Sequence, residues 1–280
     1  LARINDKRSY ANSQLLRTMC AGQPYGVPRI GEPEDLDAIT PQSLYAHYRQ
    51  ILETSRVELF YMGSLASEQV TEVLRQTLQA LPRAGQVVPV GTTPAPAARP
   101  VQEKTERLDV TQGKLSLGFF TDITANDPRY PALVLAATVF GGGATSKLFT
   151  NVREQMSLCY YASASFEKFK GVLAVASGVE FSKLETAKKE ILRQLEACCS
   201  GEISDYELES ARGYLVSDLK IAMDSPGRLD DFYMGQILLE SSATMQDLSD
   251  AIARVTKEEA AQAARALRLD TIYELQGVQA

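Results

Sequence analysis

The chain has 280 residues, 45% of them hydrophobic and 23% charged, with a net charge of −6 at pH 7. This is a globular composition with room for two domains, and the acidic balance argues against nucleic acid, which calls for a basic face. No apolar run approaches the roughly 20 residues of a membrane helix, so no membrane is expected. Four cysteines, Cys20, Cys159, Cys198 and Cys199, lack metal-ligand spacing and fit the reduced thiols of a cytoplasmic protein.

In chain order, the sequence opens at Leu1 inside a helical pattern with no signal peptide, which reads as a cut rather than a natural start. "AITPQSLYAHYRQILETSRVELFYMGS" predicts a helix capped by Thr40, then a strand ending at Gly63. Residues 82–105 hold five prolines and two glycines without periodicity, the composition of a linker. "RLDVTQ" and "KLSLGFFT" then alternate like paired strands. "PRYPALVLAATVFG" is a buried helix that stops at glycine, and "LCYYASASFEKF" with "GVLAVASGVE" forms a second strand pair around Lys170 and Gly171. Five helical patterns follow, Ser182–Cys199, Ser204–Ala222, Gly227–Leu239, Thr244–Ala253 and Thr256–Leu267, before a last strand, "TIYELQGV". The expected class is α+β, a mostly antiparallel sheet with helices packed on one face.

An internal repeat organises these elements. The stretch from Thr40 to Gly63 matches Thr256 to Gly277 in order: capping threonine, helix, short link, strand ending in glycine. Upstream, "DKRSYANSQLLRTM" lies over "DSPGRLDDFYMGQI". If the copies were once equal, about 109 residues are absent from the front of the first. The expected division is therefore 1–81, the back of an incomplete first copy; 82–105, a linker; and 106–280, a whole second copy.

At "GQPYGVPRIGEPEDLDAIT", "YAHYRQ" and "YMGS" the chain resembles the first domain of the pitrilysin/insulinase-like zinc peptidases, the superfamily of the mitochondrial processing peptidases. "FGGGATSKLFTNVREQMSLCYYASAS" is similar to the signature of that family's second domain: a glycine run, Ser-x-Leu-Phe, Arg-Glu, then Leu-x-Tyr. "NDKRSYANSQLLRTMCAGQPYG" looks closest to the non-catalytic member of certain paired bacterial homologues. Active relatives hold zinc with an inverted His-x-x-Glu-His motif and a distant Glu. Here His47 is the only histidine, so this chain should be inactive alone, with no catalytic residue and no metal of its own. Zinc is expected only if an upstream segment carries the motif. The carboxylates of "EPED" (Glu32, Glu34, Asp35), "ELES" and "LDD" read as solvated helix starts and faces.

Two readings of the glycine-rich stretch stay open. In one, Gly141, Gly142 and Gly143 are a helix stop and backbone turn using positive φ, while Arg153 and Tyr160 belong to surface and sheet. In the other, which the resemblance implies, Arg153 and Tyr160 reach toward a bound peptide backbone as two hydrogen-bond donors. The second reading requires them to share one open groove. The spacing places Leu148, Phe149 and Val152 inward, Arg153 at their rim, Tyr160 on one face of a strand with Leu158 and Ala162, and Tyr161 on the other. The departures from the family pattern are Gln155 and Cys159. Three functions follow: a non-catalytic, peptide-binding or accessory subunit, dimeric with itself or with a catalytic homologue; a fragment of an active zinc endopeptidase; or a structural assembly subunit. The expected ligand is a peptide or an unfolded protein segment.

Overall fold

In the computed structural model, residues 6–88, 91 and 95–278 are described. The opening residues of the first helical pattern and part of the expected linker (89–90 and 92–94) lie outside the described residues. Helix α1 spans Lys7–Met19, α2 Pro41–Thr54 and α3 Ser67–Leu78. Strands β1 (Gln102–Leu108) and β2 (Gly113–Phe120) precede the apolar helix α4, Tyr130–Gly141. A π-helix, Leu148–Gln155, leads into β3 (Cys159–Glu167) and β4 (Val172–Val179). Helices α5 (Leu184–Ser200), α6 (Asp205–Met223), α7 (Pro226–Leu238), α8 (Met245–Arg254) and α9 (Lys257–Ala264) follow, and β5, Arg268–Gly277, closes the fold.

The sheet order is β1-β5-β2-β4-β3. Three of the four pairings are antiparallel, and β1 runs parallel to β5. The fold is thus the expected α+β class. β3 and β4 pair as expected; β1 and β2 do not, because β5 lies between them. β1 also begins at Gln102, inside the stretch expected as linker.

Alternation along β2 decides the packing. Leu115, Leu117 and Phe119 join the main core with α4, α5, α6 and α9 residues such as Leu133, Phe140, Ile191 and Ala260. Helix α4 is buried on most sides, so it can be apolar all round. On the other face, α1 lays Ala11 and Leu15 on Ala174, Tyr273 and Leu275, and Met19 against Phe120 and Val172. Helices therefore gather on one face, and α1 adds a cover to part of the second. Gly118 makes that approach close: a Cβ there would stand 2.6 Å from the Met19 sulfur.

Two part-buried polar clamps hold α1 and the link before β1 in place. Glu106 on β1 accepts from the Tyr10 and Tyr273 hydroxyls, each at 2.7 Å. Arg99 forks onto Asp270 at 2.8 and 2.9 Å and also donates to the Met19 carbonyl at 2.7 Å.

The first copy of the repeat is built differently from the second. Thr40 caps α2 through a capping box with Ser43, as Thr256 caps α9 with Glu259. The residues after α9 form β5. Those after α2, Arg56–Met62, form no strand, contrary to the sequence expectation. No residue of α2 or α3 is buried. A strand is stabilised by a hydrogen-bonded neighbour, and the described residues supply none here.

Candidate functional site

The site grows out of three backbone irregularities in fourteen consecutive residues, 148–161. The first is the π-helix itself, a rare form that concentrates at functional sites. Its wide turns show in the amide of Met156, which donates to the Asn151 carbonyl at 3.0 Å. Leu148 and Val152 are fully buried, and Phe149 is half-buried. The Asn151 amide anchors the segment to α5 by donating to Gln194 at 2.7 Å; Gln194 in turn donates to Glu190 at 2.5 Å.

The second irregularity is Ser157, with φ of 49°. That left-handed backbone is unusual for a residue other than glycine. Two bonds flank it: Leu158 N–H donates to Val152 O at 3.0 Å, and Lys183 Nζ donates to the Ser157 carbonyl at 3.3 Å. Lys183 also pairs with Glu180 at 3.3 Å.

The third is a β-bulge. Cys159 stands opposite Val179 and Tyr161 opposite Gly178, so Tyr160 is an extra, unpaired residue. Strict alternation from Leu158, which the sequence implied, is therefore broken. Leu158, Cys159 and Ala162 all enter the core, while Tyr160 is 60% exposed. Tyr161 turns to the α1 face, under the Arg8 guanidinium at 4.4 Å. Burial pushes the Cys159 thiol up, which keeps it protonated and poorly nucleophilic.

Together these devices line one open groove of about 350 Å³ with Arg153, Glu154, Ser157, Leu158, Cys159, Tyr160 and Glu180. Arg153 sits at the rim, as the spacing implied. Its guanidinium stacks 4.6 Å over the Phe149 ring and lies 3.5 Å from Glu154. Arg153 and Tyr160 thus both line one groove. Ser157, Glu180 and the anchoring Asn151 were missed, and no motif in the sequence marks them.

Gly141 and Gly142 act by closeness, and none of the three glycines by positive φ. None of Gly141, Gly142 and Gly143 has positive φ. Gly141 is still helical and Gly142 is the C-cap, donating to Thr138 O at 2.9 Å. The turn begins there, and Ser146 closes it by donating to the Gly143 carbonyl through its amide at 3.1 Å and its hydroxyl at 2.6 Å. A Cβ on Gly141 would lie 2.7 Å from Ala164 and 2.8 Å from Leu148. That small residue lets α4 end directly against β3. Just beyond, Lys147 pairs with Glu207 at 2.9 Å, tying the turn to the start of α6.

A family profile described as "Peptidase M16 inactive domain" matches residues 38–215. The chain belongs to this family. It is 33% identical over 275 residues to a "Probable inactive metalloprotease YmfF" of Bacillus subtilis, covering 98% of this chain and 64% of that protein. A conserved protein of Enterococcus faecalis superposes with a TM-score of 0.91 at 29% identity, over 100% of this chain and 66% of that one. A peptidase M16 inactive domain from Pseudomonas fluorescens shares the fold at a TM-score of 0.83 and 18% identity, covering 99% of this chain and 70% of that one. The chain therefore spans about two thirds of the length of the relatives it matches.

Zinc chemistry finds no donor set here. Among the described residues, no group of three or more His, Cys, Asp or Glu could hold a metal ion. His47 stands exposed on α2 beside Leu44, Tyr48 and Ile51, which are also exposed. Its apolar flank faces solvent. The residues present do not fit a catalytic zinc, which needs three protein ligands. No helix among the described residues is long and apolar enough to cross a membrane.

Proposed function

We propose that this M16 chain serves as the non-catalytic member of a cytoplasmic peptidase pair, holding a peptide while a homologous chain supplies the metal. The single observation that carries the reading is the convergence of Arg153 and the bulged Tyr160 on one open groove. A guanidinium and a phenol can both donate hydrogen bonds, which suits a peptide carbonyl. The bulge supports it further, because the extra residue turns a ring toward solvent that regular pairing would have kept in line with the sheet. The relative named as a probable inactive metalloprotease is consistent with a role in which this chain cuts nothing itself.

Binding of a fluorescent, unstructured peptide tests this by anisotropy. Arg153→Ala should weaken binding by roughly tenfold or more, since a charge-assisted hydrogen bond contributes about 1.5–3 kcal/mol. Tyr160→Phe keeps the ring and should cost roughly fivefold, about 1 kcal/mol. Unchanged affinity in both variants, with unchanged circular dichroism, would remove the groove from any peptide role.

A further inference from the structure

On the α1 face of the sheet, two cations converge on one aromatic ring. Tyr161 of β3 packs against Gly178 of β4, where an added Cβ would stand 2.5 Å from the ring. Arg8 of α1 lies over that ring, 4.4 Å from its centroid, and Lys114 of β2 stands 5.8 Å from the same centroid. Arg8 also donates to the Ser163 hydroxyl at 3.2 Å. Lys114 is only 9% exposed and donates to the Gln112 side-chain oxygen. Arg8 is exposed, so the cluster opens to solvent on its side.

No acid answers these charges. Every aspartate and glutamate of the chain falls within the described residues, and none of them forms an ion pair with Arg8 or Lys114. Asp6 caps α1, and its carboxylate takes both Ser9 donors, the amide at 3.1 Å and the hydroxyl at 2.5 Å. Burial, then Arg8, push the Lys114 ammonium down from its ordinary value. A tyrosine face attracts a cation but carries no net charge, so two positive charges stay unbalanced. Burying a cation is costly unless a counter-charge meets it.

The neutral groups beside the two cations are donors as well. Gln112 gives its oxygen to Lys114 and keeps its amide N–H groups. Burial pushes the Tyr161 phenol up to about 12, so its hydroxyl stays protonated at neutral pH.

We propose that Arg8 and Lys114 form a binding site for a phosphate dianion, held between guanidinium and ammonium with the Gln112 amide and the Tyr161 hydroxyl as further donors. A phosphate group carries about −1.5 to −2 charges at pH 7, which answers both cations, whereas a carboxylate answers one. The arginine fork also suits two phosphate oxygens at once. The group comes from inorganic phosphate or from a phosphomonoester, whose chemistry at the site is the same. This site stands independently of the peptide-holding groove.

The probe is inorganic phosphate, titrated into the full chain by calorimetry at constant ionic strength, with acetate and phenyl phosphate as parallel arms. Phosphate should bind at a single site and at least roughly tenfold more tightly than acetate. Arg8→Gln, a surface change, and Lys114→Met, which keeps the side-chain length, should each weaken phosphate by roughly tenfold or more, the loss of one charge-assisted contact. Without phosphate, Lys114→Met should melt above the wild type, because an unbalanced buried charge is gone. In saturating phosphate the order should reverse, since only the wild type gains from binding. Phenyl phosphate binding as well as phosphate supports a phosphomonoester source, and its exclusion supports inorganic phosphate. Phosphate that fails to bind the wild type at millimolar concentration overturns the proposal. So does equal phosphate affinity in the wild type and both variants, or a melting order that phosphate leaves unchanged, because phosphate then acts only by exclusion from the protein surface.

Discussion

Gly141 and Gly143 sit two residues apart in one glycine run, yet their surroundings differ. A methyl group at Gly141 would meet Ala164 and Leu148 below 3 Å, whereas at Gly143 it would meet nothing within 4 Å. Gly141→Ala should therefore destabilise by about 1–3 kcal/mol through overpacking. Gly143→Ala, whose φ is not positive, should be neutral or stabilise by up to about 1 kcal/mol through the unfolded chain. Urea midpoints of the two variants check this, and equal losses would refute the close-approach account. The run itself was legible as a helix stop; its use for packing was not, because sequence does not show which strand passes behind. Arg153 and Tyr160 were singled out by the family resemblance, and both line the groove. The bulge between them was hidden, since "LCYYASAS" offers several residues that could equally be the extra one, and only the pairing with Val179 and Gly178 selects Tyr160.

At the scale of elements, helix ends were read well because their chemistry is local. Ser204, Thr244 and Thr256 each make a capping box with the acidic residue three positions on. Strands were read less well, because their partners are distant in sequence. The inserted position of β5 between β1 and β2 and the unpaired state of Arg56–Met62 both depend on what lies alongside. The Arg99–Asp270 clamp is another such long-range feature, joining the link before β1 to the first turns of β5. Asp270 is almost fully buried, with 2% of its side chain exposed, while Arg99 keeps 34%. Arg99→Met leaves a buried carboxylate without its main partner and should cost about 2 kcal/mol, reduced by the exposure of Arg99. Burial pushes the Asp270 carboxyl up, but hydrogen bonds from Arg99 and Thr271 outweigh it and hold the group below the ordinary 3.8. A depressed folded value means that the stabilisation is full above pH 3.8 and is lost as pH falls through the folded value. Acid titrations of thermal midpoint should show this loss in the wild type and a smaller one in Arg99→Met. Parallel acid curves for the two proteins would exclude the clamp as their cause.

The whole molecule combines a well-packed unit around one five-stranded sheet with a stretch, from Val27 to Val73, that buries almost nothing. With one exposed histidine and no clustered ligands among the described residues, zinc has no closed donor set to bind. Dialysed protein should contain far less than one zinc per chain by elemental analysis, and stoichiometric metal surviving dialysis would contradict that account. The apolar stretch carries the stronger consequence. Leu44, Tyr48 and Ile51 lie on one face of α2 at 59%, 55% and 45% exposure, and Leu59, Phe60, Tyr61 and Met62 follow at 41–53%. The four-residue spacing of Leu44 and Tyr48, then three to Ile51, is that of a helix face built to be covered. The repeat gives the same message, since the equivalent helix α9 buries Ala260, Ala261, Ala263 and Ala264. Exposed apolar side chains in this number drive association. Sedimentation should show a mass that rises with protein concentration, and sulfate should strengthen the effect because it favours apolar burial. Leu44→Glu with Ile51→Lys should abolish association yet leave the melting temperature nearly unchanged, as exposed residues contribute within about 0.5 kcal/mol each. A concentration-independent monomer that binds no apolar dye would mean that these side chains cover one another in solution, and the case for a partner on this face would end there.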